Sequence, residues 1–193
     1  SAKDEIVVNG MSDFARNAQN ANSAVVVQVY PADFGGGALD GMRFQKTMEQ
    51  VAVAAGGGGG VAPASTLGAF LRREKPRGFG GVAPSYRPGV ASCDLWNVLP
   101  PFVSAGIAEG MKAFGRQLRG FDREDAVLTG VETRTSAPLR LLRGENMESA
   151  SCAGLYPVGE GAGYAGGIVS AAIDGLKAAE AVIGKFASPM KTV

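Results

Sequence analysis

Apolar and polar positions along this chain change period repeatedly, and each change predicts an element. Ile6-Val7-Val8 is a short apolar run that reads as a strand, with Asn9-Gly10 as a turn signal behind it. Ala24-Val25-Val26-Val27-Gln28-Val29-Tyr30 is a stronger strand by its β-branched content, ended by Pro31 and the loop opening at Gly35-Gly36-Gly37. Phe44, Met48, Val51 and Ala55 recur at spacings of 4, 3 and 4, one face of an amphipathic helix that the run Gly56–Gly60 stops. Ser65 is the candidate N-cap of a helix carrying Leu67, Phe70 and Leu71, and the proline-rich residues 76–92 read as loop. Pro100-Pro101 opens a helix with Val103, Ile107, Met111, Phe114 and Leu118 on one face, closed by Gly120. Ala126–Val131 and Leu139–Leu142 predict two short strands pairing around Thr133–Pro138. Gly154–Val158 predicts another, before a last helix from about Ala165 to Phe186 with Ile168, Ala172, Gly175, Ala179 and Ile183 on one face.

Helices and strands mix here without strict alternation, and no repeat of fixed period is present. The expected class is α+β. We expect a substrate-type domain over residues 1–150, followed by a strand–loop–helix segment over 151–193.

Composition narrows the classes. Glycine is the outlier, at 29 of 193 residues, about twice its usual share of roughly 7%. The 46% hydrophobic content argues for a packed core rather than disorder. Nineteen basic residues face eighteen acidic ones, so charge gives no reason to expect nucleic acid or an anionic membrane. The small cluster Arg72, Arg73, Lys75 and Arg77 reads as a solvated helix end. No apolar run is long enough to span a bilayer, and no signal peptide is recognisable. The two cysteines, Cys93 and Cys152, lack metal or redox spacing and read as buried or free thiols of a reducing, cytoplasmic protein. Histidine is absent, which removes the commonest general base and zinc ligand; no metal site is expected. Ser1-Ala2-Lys3-Asp4 lacks an initiator methionine and leads directly into Ile6, so the chain reads as a fragment with Ser1 as a foreign leading residue.

The sharpest candidate chemistry lies between Gly154 and Ile168, in Gly-Leu-Tyr-Pro-Val-Gly-Glu-Gly-Ala-Gly-Tyr-Ala-Gly-Gly-Ile. An apolar run ends at Val158, Glu160 follows, and a glycine-dense loop feeds a helix. A carboxylate there can accept hydrogen bonds from polyol hydroxyls. Glycines let a flat ring approach the backbone, and a helix N-terminus presents unpaired N–H groups and a positive dipole end. The alternative is a tight connection whose glycines serve packing alone. The dinucleotide pattern GxGxxG is incomplete, because Tyr164 stands where its third glycine belongs.

Weaker constellations stand beside it. Gly56–Gly60 lacks the lysine of a phosphate loop, which weakens a phosphate-binding reading, and reads as a flexible turn or a close backbone approach, with a role near substrate as the alternative. Thr133-Arg134-Thr135-Ser136 is dense in donors: Arg134 can clamp a carboxylate, and Thr135 and Ser136 can bond a carbonyl. An exposed hairpin tip is the competing reading. By strand alternation Arg140 and Arg143 do not share a face, so only one of them can join Arg134. Asn17, Asn20 and Asn22 suit a polar turn or a substrate-facing loop. Trp96 suits a core or a contact. Tyr164 suits either a ring lining or packing against the helix.

Residues Gly154 to Ala179 resemble the C-terminal flavin motif of a family of uncharacterised bacterial FAD-dependent dehydrogenases, also called NAD(FAD)-utilising dehydrogenases. Asn9–Ser12, Asn20–Ala24, Ser85–Gly89 and Gly130–Pro138 resemble further blocks of that family in the same order. The resemblance implies that Glu160 binds the ribityl chain of FAD, in a place where related reductases usually carry Asp. With Gly159 and Gly161 beside it, the N–H groups of Gly166, Gly167 and Ile168 would meet the pyrimidine edge. It implies hydride transfer through flavin, with NAD(P)H as candidate reductant and a small-molecule substrate near Arg134, Thr135 and Ser136. Enzymes of this kind begin with a strand, GxGxxG and helix that hold the ADP half of FAD, and nothing like it precedes Ile6. This chain is therefore expected to be the C-terminal portion of an oxidoreductase, to lack flavin alone, and to have the FAD-binding domain of the same polypeptide as its partner. The alternative is a non-catalytic binding or interface domain of flavoprotein ancestry.

Overall fold

A computed structural model describes residues 4–186 of the 193. Ser1 to Lys3, on which the reading of a foreign leading residue rests, lie outside the described residues. Helices and one small three-stranded sheet make the chain α+β, as the pattern predicts. It divides into two compact units: residues 1–34 with 43–133, and residues 35–42 with 134–193.

The first unit is organised by a strand that the hydrophobic pattern does not predict. β1 (Ala62–Thr66) is the centre of the sheet, flanked in parallel by β2 (Val90–Ser92) and in antiparallel by β3 (Val127–Thr129). All five of its residues are buried, so it shows no alternation; small Ala and Ser side chains let neighbours approach both faces. Pro63 is tolerated because bonds to β2 run from Ala62 N–H and to Ala64 O, which turns the missing donor toward Gly130, one residue past the end of β3. The strand is thus held by backbone bonds, with Gly130 N–H donating to Pro63 O at 3.0 Å.

Into β1 leads α2 (Asp40–Gly56), of which residues from Arg43 onward belong to this unit; the four-residue α1 (Pro31–Phe34) precedes it. The face of α2 differs from the predicted one. Glu49 and Ala52 are buried, while Val51 is exposed. Between α2 and β1, Gly57, Gly58, Gly59 and Gly60 all take positive φ, from 64° to 83°, a left-handed run that only glycine adopts cheaply. The glycine run is a chain reversal, tied by Gly58 N–H to Val53 O at 3.1 Å and by the Tyr86 hydroxyl to Gly60 O at 3.2 Å.

α3 (Leu67–Arg72) leaves β1 directly. Its cap is Thr66, not Ser65: the Thr66 hydroxyl accepts from Ala69 N–H at 3.3 Å, and Ser65 is the fourth, fully buried residue of β1. Thr66→Ala is expected to cost about 1 kcal/mol, the usual loss of a helix cap, read as a lower denaturant midpoint; an unchanged midpoint would remove the cap from the account. Arg73 ends the helix in a left-handed conformation and lies 4.0 Å over the Trp96 ring, whose N–H donates to Phe70 O. Arg72 pairs with Glu74, so the basic cluster is partly neutralised. After a single 3-10 turn, Leu95–Asn97, α4 (Pro101–Gln117) spans the predicted helix, with Met111 and Ser104 buried. Ile6, Val8, Ala52, Leu67, Phe70, Leu95, Val98, Met111 and Val131 form the core.

Two predicted strands here are not regular. Ile6–Val8 has no strand assignment; Val8 N–H donates to Val131 O, and Ile6 and Val8 are buried. Ala24–Tyr30 has no strand assignment, although Val25, Val27 and Val29 are half-buried and the residues between them exposed.

In the second unit, α5 (Ile168–Lys185) starts three residues later than predicted. Neither Leu139–Leu142 nor Gly154–Val158 is a strand. The first gives its backbone to other segments of the unit: Leu141 N–H donates to Ala162 O, and Leu142 O accepts from Ala150 N–H. The second has Ser149 N–H to Leu155 O and the local turn bond Leu155 N–H to Cys152 O, and Pro157 has no N–H to offer. Of the strand–loop–helix expected over 151–193, the described residues 151–186 form an irregular segment, a loop and a helix, and residues 187–193 lie outside the described residues. The hairpin predicted around Thr133–Pro138 does not form; β3 instead has β1 as its neighbour.

Candidate functional site

The glycine motif forms a looped segment in the second unit, fixed from below by one buried ion pair. Asp174 lies on the first turns of α5, and Arg143 reaches its carboxylate with two nitrogens, at 2.9 and 2.6 Å. The side chains are only 10% and 12% exposed. The same carboxylate accepts from Gly159 N–H at 2.9 Å, and Arg143 donates to Pro157 O at 2.7 Å. Together they clamp both ends of the turn into the motif. The Arg143 bonds, with the Gly159 N–H, hold the Asp174 carboxyl down at about 2 against the cost of burial, and the Asp174 bond raises Arg143.

Tyr164 closes the loop. Its hydroxyl donates to Leu141 O and accepts from Arg143 N–H, and its ring lies 3.6 Å from the Arg143 guanidinium and 5.0 Å from that of Arg140. Both arginines therefore meet one ring, which the strand reading of residues 139–142 does not allow. Arg140 also donates to Gly163 O at 3.0 Å. Gly163 has φ +82° and a backbone approach to Leu139 O that leaves no room for a Cβ, so glycine is required there. Further along, Lys185 contacts both carboxylate oxygens of Glu148, which also accepts from Gly154 N–H. The Gly154 bond, then the Lys185 bond, lowers the Glu148 carboxyl.

Above this support the predicted cofactor residues lie open. Glu160 is exposed, and its carboxylate has no partner among the described residues. Gly161 and Gly166 have nothing within 4 Å of the place a Cβ would occupy. Gly159 is buried at the base with φ +73°. At the N-terminus of α5, Gly167 N–H is taken by Ser170 Oγ at 3.1 Å. The amides of Gly166 and Ile168 have no partner among the described residues. An acceptor carboxylate, open glycine backbone and unengaged helix-end donors fit a ligand with hydroxyls and an electron-rich ring edge, which is the chemistry of a flavin and its ribityl chain.

The donor-rich loop is split between the units. Arg134, Thr135 and Ser136 are exposed and belong to the second unit. Thr133 belongs to the first, where its hydroxyl donates to the buried Glu49 at 2.6 Å and its carbonyl accepts from Gln45 at 2.7 Å. Sequence reasoning missed Glu49, Asp174 and the role of Arg143. Asp174 left one signal: it is the lone charged residue in the first half of α5, whose other residues there are small or apolar. Glu49 left none, since a Glu between apolar helix positions reads as solvent-facing.

Among the described residues no group of acidic, histidine or cysteine side chains is arranged to hold a metal ion, and no helix is long and apolar enough to cross a membrane. Cys93 is half-buried and Cys152 exposed, both unpaired, and burial raises the Cys93 thiol.

Comparison with known proteins gives the same direction. An uncharacterised protein of Clostridium beijerinckii is 48% identical over 190 residues, 98% of this chain, a span that takes in the glycine motif. The chain spans only 36% of that relative's length. Residues 1–135 match the family described as "FAD-dependent protein, C-terminal domain-like"; with 135 of 193 residues matched, the chain belongs to that family.

Proposed function

We propose that this chain holds the pyrimidine edge and ribityl chain of FAD in a larger FAD-dependent oxidoreductase. The observation that carries the reading is the open set formed by the Glu160 carboxylate, the bare backbone of Gly161 and Gly166, and the unengaged amides of Gly166 and Ile168, all on a loop clamped by Arg143 and Asp174. When bound, the flavin supplies hydride acceptance and donation. The chain's own part is placement: Glu160 accepts from ribityl hydroxyls, and the amides at the start of α5 favour the charge that gathers on a reduced ring. Arg134, Thr135 and Ser136 are our candidates for the small-molecule substrate, with NAD(P)H as reductant.

The rest of the cofactor site belongs, in this reading, to a dinucleotide-binding domain of the same polypeptide. Support comes from α5, whose Ile168, Val169, Ile173, Leu176 and Ile183 are 92%, 72%, 49%, 66% and 75% exposed. So much apolar helix surface suits a partner. Unpaired cysteines suit a reducing, cytoplasmic setting.

The test is flavin retention by the full-length polypeptide. Glu160→Ala is expected to weaken FAD binding roughly tenfold to hundredfold, the worth of a charged hydrogen bond of about 1.5–3 kcal/mol, with the thermal midpoint unchanged because the side chain is exposed. Flavin content equal to wild type after dialysis would remove Glu160 from the site.

A further inference from the structure

Residues 24–30 have the sequence of a strand and the burial of a strand, but no ladder. Ala24, Val26, Gln28 and Tyr30 are exposed and Val25, Val27 and Val29 half-buried, the period of two that an extended chain gives. One face is anchored. Val25 packs against the core, and Val27 sits so close to Gly106 of α4 that a Cβ there would meet it at 3.0 Å. The backbone is not. From Ala24 to Val29 no main-chain N–H has a hydrogen-bond partner among the described residues; the carbonyls of that stretch receive only the Gln28 side chain, on Val29 O. A Val-rich segment held extended, with its main-chain donors and acceptors open, is a template for another strand.

We propose that 24–30 is a β-strand completed in the full-length polypeptide by a strand from the region outside these 193 residues. Two observations favour that occupant. The chain spans 36% of its Clostridium relative, so that relative carries most of its length outside the matched span. The open groups are main-chain ones, which a strand satisfies in register and an apolar helix or a small molecule does not. The inference does not depend on the flavin reading: a strand docks here whether or not Glu160 touches FAD.

Amide hydrogen exchange tests it, comparing the full-length polypeptide with the 193-residue chain. Peptides covering 24–30 are expected to exchange roughly a hundredfold or more slowly in the full-length protein, and freely in the shorter chain. Free exchange in both overturns the proposal. Protection in both also overturns it, and a dependence on protein concentration would then identify a second copy of the chain as the occupant.

Discussion

Arg143→Ala is expected to destabilise the unit of residues 35–42 and 134–193 by about 3–5 kcal/mol, because it leaves Asp174 charged, buried and half-paired. Arg143 makes two bonds to Asp174, one to Pro157 O and a face contact with Tyr164. A lysine can make one of these, so Arg143→Lys should recover little. Denaturant unfolding followed by circular dichroism reads the change; a loss under about 1 kcal/mol would show that water already satisfies Asp174. The same pair sets an acid limit. Asp174 is held at about 2 in the folded protein, below the ordinary 3.8. A carboxyl depressed by folding contributes stability above its unfolded value and loses it as pH falls through the folded one. Stability of this unit should therefore decline between about pH 4 and pH 2. Asp174→Asn should flatten that decline while lowering stability at neutral pH; the Glu148 share, of the same sign, would remain.

Phe70→Ala should cost a similar amount, about 3–5 kcal/mol, in the other unit. Phe70 is fully buried, stacks on Trp96 with centroids 5.7 Å apart, and shares the core with Leu67 and Ala52. Ala52 and Ala62 of the same core carry too little side chain to fill the space it would leave. Phe70→Leu should cost clearly less. A drop below about 1.5 kcal/mol for alanine would mean that the neighbours collapse into the hole.

Helices were legible in the sequence where their apolar spacing is strong: α4 and α5 lie within a few residues of the pattern. β1 was illegible because it is built from Ala, Pro, Ser and Thr and buried on both faces, which erases alternation. The reverse holds at 139–142 and 154–158, which pair with no strand, and at 24–30, which finds no neighbouring strand among the described residues. Their composition is that of strands, but a strand is a relation between two segments, and single-segment patterns do not contain the second one. In the candidate site, Glu160 and its glycines stand out in the sequence because a glycine-dense loop is a local pattern. The clamp beneath them joins residues 31 positions apart, Arg143 and Asp174, and no spacing rule links those.

Trp96 is the single tryptophan of the chain, and its surroundings make it a spectroscopic reporter. Its indole lies beneath the Arg73 guanidinium, stacks on Phe70 and hydrogen-bonds Phe70 O, all in the unit of residues 1–34 and 43–133. Fluorescence excited selectively in indole thus reads the packing around α3 and carries no emitter from the glycine loop. A red shift on unfolding would time the opening of that aromatic pocket, while events at Arg143, Tyr164 and α5 need a separate optical signal, such as the colour of a flavin.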